Sequence, residues 1–179
     1  MSAARLAAAA LLLLASGLEA KEPAVKEKKG AIEALAGYKA PAGWTVERRA
    51  KGQDAALELT RAGVLISVRL FGGKGSEYSV PDAFLASPAA STMGRPPEGI
   101  GRTRISGKAY PMYKRGVPSL DGDPHAPGGS PALSEERFLL VPVKGRFFVL
   151  SYRDENPLPD PSGKGEKAWQ AFLRSFKLL

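Results

Sequence analysis

The segment RFFVLSYRD constrains the fold of this chain more than any other stretch of its sequence. Successive side chains of a β-strand point to opposite faces of the sheet. The side chains of Phe148, Leu150 and Tyr152 therefore share one face, whereas those of Phe147 and Val149 share the other. Because both faces are apolar at the centre, the pattern predicts a strand in the interior of a sheet that is covered on both sides.

The neighbouring segments predict further antiparallel strands. Only Lys144-Gly145 separates RFFVLSYRD from EERFLLVPV, and a two-residue spacing with glycine second is typical of a tight hairpin. Alternating apolar residues in WTVERR, LELT and VLISVRLF predict a meander of three strands. The segments IGRTRIS and KAYPMYKR predict a second hairpin with its turn around Gly107-Lys108. Pro111 has no N–H to donate, so its strand should lie at a sheet edge or carry a bulge.

Two segments have the features of helices that pack on a sheet. In SVPDAFL, Ser79 can cap a helix whose first turn contains Pro81 and Asp82. In SGKGEKAWQAFLRSF, Ser162 can cap a longer helix with apolar residues spaced as on one helix face. Those residues are Trp169, Phe172, Leu173 and Phe176. Together the elements predict an α+β fold, an antiparallel sheet of about six to seven strands flanked by a short helix and a C-terminal amphipathic helix.

The first 20 residues are typical of a secretory signal peptide. Arg5 precedes an apolar run from Leu6 to Ala15, and Ala20 is a plausible cleavage point. An uncleaved membrane anchor is the alternative, although the run is short for a membrane span. Residues 21–37 read as a linker that could include a short helix, and residues 38–179 as one domain. We therefore expect export to the periplasm or the extracellular space, with no transmembrane anchor after cleavage.

Composition narrows the chemistry and the partners. The chain contains no cysteine, which excludes disulfides, thiol catalysis and cysteine-ligated metals. Its formal net charge of +8 favours anionic partners, although such a charge also keeps a protein soluble. Nucleic acid is not expected as a partner of an exported chain.

The order of the elements resembles that of the PsbP/Mog1-like superfamily, which includes exported bacterial PsbP-like proteins. The segments that carry the resemblance are PAGW, ISVRLF, PDAFL, RFFVLSYR and AFLRSFK. They span most of the predicted domain, but each is a fold-building pattern and none is a catalytic motif. Members of that superfamily are mostly accessory or binding proteins. The resemblance therefore implies a non-enzymatic binding protein, which we expect to be monomeric and to need no cofactor.

The only histidine lies in the loop DGDPHAPGGSP. Asp121, Asp123 and His125 alternate there, and their oxygen and nitrogen atoms suit a hard or borderline cation. A closed zinc site needs four ligands, and even an open one needs three that are firmly held. The surrounding glycines and prolines instead favour an irregular loop, so we predict no metal site.

Some segments of the sequence bear on an enzymatic function instead of a binding role. The run Gly72-Gly73-Lys74-Gly75-Ser76 lacks the spacing of a phosphate-binding loop and reads as a flexible turn. The chain has no Gly-x-Ser-x-Gly or His-Glu-x-x-His motif, so no nucleophile or zinc-hydrolase site is indicated. A hydrolase of an envelope polymer that uses paired carboxylates is the alternative function. Its candidate residues flank predicted strand ends: Glu135, Glu136, Asp154 and Glu155.

A run of basic residues is the best candidate for a partner-binding surface. Between positions 99 and 120 the chain has no acidic residue. The cations there are Arg102, Arg104, Lys108, Lys114 and Arg115, which we call the basic hairpin. This hairpin is predicted to bind an acidic protein or an anionic envelope component. Alternatively, arginine and lysine on an edge strand only prevent sheet-to-sheet aggregation.

Overall fold

The computed structural model describes residues 30–118, 133–155 and 162–179. Within them lie a seven-stranded sheet, a two-stranded sheet and two helices. The strands are β1 (Ala36–Gly37), β2 (Thr45–Lys51), β3 (Asp54–Arg61), β4 (Val64–Phe71), β5 (Glu98–Ile105), β6 (Lys108–Pro118), β7 (Leu133–Val143), β8 (Arg146–Asp154) and β9 (Lys177–Leu178). The helices are α1 (Pro81–Leu85) and α2 (Lys164–Ser175). A mostly antiparallel sheet with two short helices agrees with the predicted α+β class.

The large sheet consists of two meanders that meet in its middle. Its strand order is β2-β3-β4-β8-β7-β6-β5, and every neighbouring pair is antiparallel. Strand β8, the segment RFFVLSYRD, is the fourth of seven and pairs with both β4 and β7. This central place explains why both of its faces are apolar.

Three tight turns join neighbouring strands of these meanders. The turns are Ala62-Gly63, Ser106-Gly107 and Lys144-Gly145, and both residues of each have a positive φ. Such turns match the twist of paired strands, and glycine adopts the second conformation without steric cost. The third turn lies where the two-residue spacing predicted a tight hairpin. The second lies one residue before the predicted position at Gly107-Lys108.

Helix α2 covers one face of the sheet, which we call the α2 face. Its residues Trp169, Phe172 and Leu173 are almost completely buried against strand residues, and Phe176 follows them into the same core. Trp169 stacks between Tyr152 and Phe172, with ring centroids 6.0 and 6.2 Å away. Burying each such side chain contributes about 1.5–3 kcal/mol. The helical spacing seen in the sequence thus corresponds to the packed side of α2.

Helix α1 and the chain that follows it cover part of the opposite face, the α1 face. Phe84 of α1 is buried among aromatic residues of the strands. Its ring lies edge-on to Phe138, with centroids 5.9 Å apart, and 6.0 Å from the ring of Phe71. Strand β8 supplies Phe147 and Val149 to this second core. The two cores confirm that the middle of the sheet is covered on both sides.

Both helices begin differently from the sequence prediction. Val80, and not Ser79, is the N-cap residue of α1, and no side chain caps it. The N-cap of α2 is Gly163 in a left-handed conformation, also without a side-chain cap. The carbonyl of Ser162 instead accepts a hydrogen bond from Nζ of Lys167 at 3.2 Å. The two serine caps were therefore wrong, although Pro81 does lie in the first turn of α1.

Pro111 lies in a part of β6 that has a partner on one side only. It pairs with Arg102 of β5, whereas the pairing of β6 with β7 begins at Met112. Its missing N–H therefore costs no ladder hydrogen bond to β7. The bulge of this hairpin lies in β5 instead, between Gly99 and Gly101. Strand β6 lies between β5 and β7, so the predicted edge position or bulge of the Pro111 strand was wrong.

The chain before Tyr38 already contributes to the folded structure. Residues 31–35 form hydrogen-bonded turns, and the side chains of Ile32 and Ala36 are buried in the core of the α2 face. Strand β1 pairs with β9, an interaction that the sequence pattern did not indicate. Packing thus extends upstream of position 38, where we predicted that the domain begins. The predicted signal peptide lies outside the described residues.

In the described parts of the chain, no helix has the length and apolar character needed to span a membrane.

Candidate partner-binding surface

Arg102 and Arg104 form an exposed pair on the edge strand β5. They pair with Pro111 and Ala109 of β6, and residues two apart on a strand share a face. Ile105 is buried in the core of the α2 face, so the two arginines lie on the α1 face. Nη2 of Arg102 donates a hydrogen bond to the carbonyl of Ala109 at 3.1 Å. Neither guanidinium forms an ion pair with a carboxylate of the described residues. We call these two residues the arginine pair.

Lys108 lies close to the arginine pair but on the other face. It pairs with Ile105 across the turn, and paired residues of neighbouring strands share a face. The lysine is exposed at the start of β6. A partner that reaches the end of this hairpin could therefore contact Lys108 as well as the arginine pair.

Lys114 and Arg115 lie at the opposite end of the hairpin, and both are ion-paired. Nζ of Lys114 is 3.3 Å from Oε2 of Glu98 on β5. Nε of Arg115 donates a hydrogen bond to Oε2 of Glu136 at 2.6 Å. The structure thus brings Arg102 and Arg104 together, places Lys108 near them on the other face, and separates them from Lys114 and Arg115.

Glu136 is a buried carboxylate held by two arginines. Besides Arg115, Nη2 of Arg69 lies 3.8 Å from its Oε1. Cζ of Arg69 is also 5.7 Å from the centroid of the Phe84 ring, which links this ion cluster to helix α1. Burial lowers the pKa of Arg69, Glu136 opposes this effect, and the charge of Arg115 adds to it. The cluster therefore depends on Glu136 to compensate two crowded cations.

Two of the other three carboxylates proposed for a hydrolase, Glu135 and Glu155, also lie next to arginines. Oε1 of Glu135 is 3.1 Å from Nε of Arg137, and Glu155 forms an ion pair with Arg153. Asp154 ends strand β8 opposite Val64 of β4. In glycoside hydrolases, the carboxyl group that donates a proton has a raised pKa, for example because it lies in an apolar pocket. The three glutamates have the ionic partners of structural ion pairs.

Two clefts open near the ends of the strands. The first, of about 390 Å³, lies where β5, β6 and β7 meet. It is lined by Thr92, Arg95, Pro96, Glu98, Lys114, Arg115, Gly116, Leu133, Ser134 and Glu135. The second, of about 450 Å³, surrounds the turn between β3 and β4. It is lined by Thr45, Glu58, Thr60, Arg61, Ala62, Gly63, Val64, Leu65, Arg153 and Glu155.

The second cleft contains a carboxylate that sequence reasoning missed. Glu58 lies in the middle of β3, and its Oε2 is 3.4 Å from Nη2 of Arg49. It shares this cleft with Glu155. The alternation of Glu58 with the buried Leu57 and Leu59 was a usable signal, because it places the carboxylate on the less apolar face of β3.

The glycine-rich run at 72–76 is a turn fastened by Asp54. The hydroxyl of Ser76 donates to Oδ1 of Asp54 at 2.5 Å and accepts the N–H of Gly72 at 2.8 Å. The N–H of Glu77 donates to Oδ2 of the same aspartate at 2.9 Å. Asp54 of β3 thus holds the end of this turn through two hydrogen bonds.

The loop with Asp121, Asp123 and His125 lies outside the described residues, so its interpretation stays a prediction. In the ranges that the structure describes, no three histidine, aspartate or glutamate side chains cluster as metal ligands would.

Comparison of the chain with family models and with curated proteins found no match. The likeness to the PsbP/Mog1-like superfamily therefore remains a hypothesis that depends on the five fold-building segments.

Proposed function

We propose that this chain is an exported, non-enzymatic binding or accessory domain of PsbP/Mog1-like architecture. It binds an acidic protein or an anionic envelope component through the arginine pair of the basic hairpin, with Lys108 at its margin. The observation that supports this most strongly is which basic residues of the hairpin form ion pairs. Arg102 and Arg104 are exposed and lack carboxylate partners in the described chain, whereas Lys114 and Arg115 are already ion-paired.

The position of the arginine pair is compatible with the alternative as well. Strand β5 is an edge of the sheet, and basic residues on an edge strand hinder association with another sheet. The two interpretations differ in what charge reversal does. If the arginine pair binds a partner, charge reversal should abolish that binding. If the pair only prevents aggregation, charge reversal should lower the solubility of the protein and leave binding unchanged.

The test is a pull-down from envelope extract with wild type and Arg102→Glu/Arg104→Glu at two salt concentrations. The matched control is Lys51→Glu/Lys74→Glu, which changes the net charge equally at two exposed lysines far along the chain from β5. We expect one or more partners to be lost from the arginine variant and retained by the control at low salt. Equal recovery of every partner by all three proteins would eliminate the arginine pair as the binding surface.

The second candidate function is hydrolysis of an envelope polysaccharide. The observation that favours it is the second cleft, because Glu58 and Glu155 both line this cleft around the β3–β4 turn. Most glycosidases use two carboxyl groups that flank the glycosidic bond to be cleaved. The test is release of reducing ends from purified envelope polysaccharide. Activity that is lost in Glu155→Gln and kept in Arg102→Glu/Arg104→Glu would establish this function in place of the first.

A further inference from the structure

Among the described strands, β5 forms one edge of the large sheet. It pairs with β6 on one side, and no described strand lies on its other side. From Gly101 to Ile105 its register with β6 is regular, because the bulge lies before this stretch. Five residues of a regular strand offer about 16 Å of backbone at roughly 3.3 Å per residue. An edge of this kind is a template to which an extended chain can add as a further strand.

The two edges of the sheet differ in how their charges are compensated. On the β2 edge, Arg49 lies 3.2 Å from Glu47 and 3.4 Å from Glu58, and Arg48 lies 3.0 Å from Glu33. The charges of that edge are therefore neutralised largely within the chain. The arginine pair on β5 has no such partners in the described residues. Among the described arginines of the two edge strands, only Arg102 and Arg104 lack an ion pair with a carboxylate.

The spacing of the arginine pair matches the period of a β-strand. An added strand places alternate residues on the α1 face, where their Cβ atoms lie about 4.5–5.5 Å from those of directly opposed residues. Acidic residues at alternate positions would thus face Arg102 and Arg104 at the same time. A second copy of β5 would instead bring arginine against arginine, which disfavours self-pairing. The same two residues therefore reject the wrong strand and select an acidic one.

We infer that strand β5 binds an acidic, extended peptide segment of a partner protein by strand addition, with Arg102 and Arg104 contacting its alternate acidic residues. This rests on the proposed function and specifies the class of its partner. The backbone of Gly101–Ile105 supplies the main-chain hydrogen bonds, and the arginine pair supplies the charge selection.

The experiment uses the full mature chain and a defined probe, a blocked peptide in which three glutamates alternate with valines. Two versions carry backbone N-methyl groups, one on the glutamates and one on the valines. Both peptides keep the charge of the parent. In a paired strand, alternate N–H groups point towards the neighbouring strand, so only one of the two peptides loses the N–H groups that would bond to β5. A peptide with lysine in place of glutamate and vesicles containing an anionic phospholipid complete the set.

Strand addition predicts that one N-methylated peptide binds at least tenfold more weakly than the parent peptide and that the other binds similarly. Arg102→Glu/Arg104→Glu should also weaken binding of the parent at least tenfold, and the lysine peptide should not bind. On binding, the amides of residues 101–105 should exchange more slowly with solvent, whereas those of β2 should not change.

Equal binding of both N-methylated peptides would overturn strand addition. The proposed function, binding of an anionic partner by the arginine pair, would not be affected by that result. Binding of the vesicles but of no peptide would overturn strand addition in favour of a lipid surface. If no acidic peptide binds at all, the inference fails, and the pull-down with the arginine variant decides separately whether the proposed function fails with it.

Discussion

Arg115 of β6 and Glu136 of β7 lie opposite each other in the sheet, with Nε of the arginine 2.6 Å from Oε2 of the glutamate. Their side chains are 14% and 8% exposed, so this is a largely buried ion pair and not part of an open surface. Removing one partner of such a pair leaves a charge without compensation in a poorly solvated place. The pair therefore assigns Arg115 to the stability of the fold, although its position in the sequence suggested partner binding.

The first prediction concerns the buried glutamate. Glu136→Gln should lower the free energy of unfolding by about 3–5 kcal/mol, because it leaves the charges of Arg69 and Arg115 uncompensated. Glu135→Gln is the matched control: its ion pair with Arg137 is exposed, so it should cost at most about 1 kcal/mol. Urea denaturation of the three proteins measures the difference. Equal stability of the two variants would show that the Glu136 cluster does not stabilise the fold.

A second prediction separates the two kinds of arginine in the basic hairpin. Arg104→Ala should change the free energy of unfolding by no more than about 0.5 kcal/mol, because the side chain is exposed and not ion-paired. Arg115→Ala should destabilise the protein by several times as much, since it unpairs a buried carboxylate. Thermal unfolding followed by circular dichroism tests both. A larger loss for Arg104→Ala would contradict the assignment of these residues.

The third prediction concerns Tyr38, whose hydroxyl donates a hydrogen bond to Oε1 of Glu33 at 2.8 Å. Burial and this hydrogen bond raise the pKa of Tyr38 to about 12, from its usual value of 10.0. Glu33→Gln should therefore lower the pKa of Tyr38 towards 10. The ultraviolet absorbance of the phenolate, taken as the difference between each protein and its Tyr38→Phe variant, measures this shift. An unchanged pKa of Tyr38 in Glu33→Gln would show that the hydrogen bond to Glu33 does not raise this pKa.

The same raised pKa of Tyr38 makes the stability depend on pH in one direction. Below pH 10 the phenol is protonated in both the folded and the unfolded chain, so its stabilising contribution is fully present. Between pH 10 and about 12 the unfolded chain loses the proton first, and the free energy of unfolding falls. This part of the fall should be absent in Tyr38→Phe.

The fourth prediction concerns the close approach of Gly72 to β8. Its φ is +101°, and a Cβ added there would lie 2.8 Å from Cα of Arg146 and 3.2 Å from the carbonyl oxygen of Gly145. Because both obstacles are backbone atoms, Gly72→Ala should destabilise by about 1–3 kcal/mol or more. Gly73 is the control, since its φ is +92° but nothing lies within 4 Å of an added Cβ. A larger effect of Gly73→Ala would show that the contact with Arg146 does not decide the cost.

The sequence predicted the centre of this fold better than its margins. Alternation in β8 and helical spacing in α2 are local patterns that report directly which side chains are buried, and both agree with the structure. The pairing of β1 with β9 depends on residues about 140 positions apart, and no local pattern indicates it. The serine caps were wrong because Val80 and Gly163 start the helices without side-chain help.

The candidate surface could be predicted only in part for a similar reason. The sequence shows that Arg102 and Arg104 share a face, since this follows from the period of a strand. It does not show which residue lies across from a charge on the next strand. Glu136 and Arg115 are 21 positions apart, and only the register of β6 with β7 brings them together. Glu58 was missed because the second cleft also includes residues of β2, β4 and β8, which only the fold brings together.

The rate of association with a partner recovered in the pull-down tests the role of the arginine pair most directly. It is measured for wild type, Arg102→Glu/Arg104→Glu and Lys51→Glu/Lys74→Glu at low and at high salt. We expect the arginine variant to associate at least tenfold more slowly at low salt, with the control close to wild type. The difference should shrink at high salt, because exposed charges are screened beyond about 8 Å already at physiological ionic strength. Equal association rates for all three proteins at low salt would contradict the assignment of Arg102 and Arg104 as the partner-binding surface.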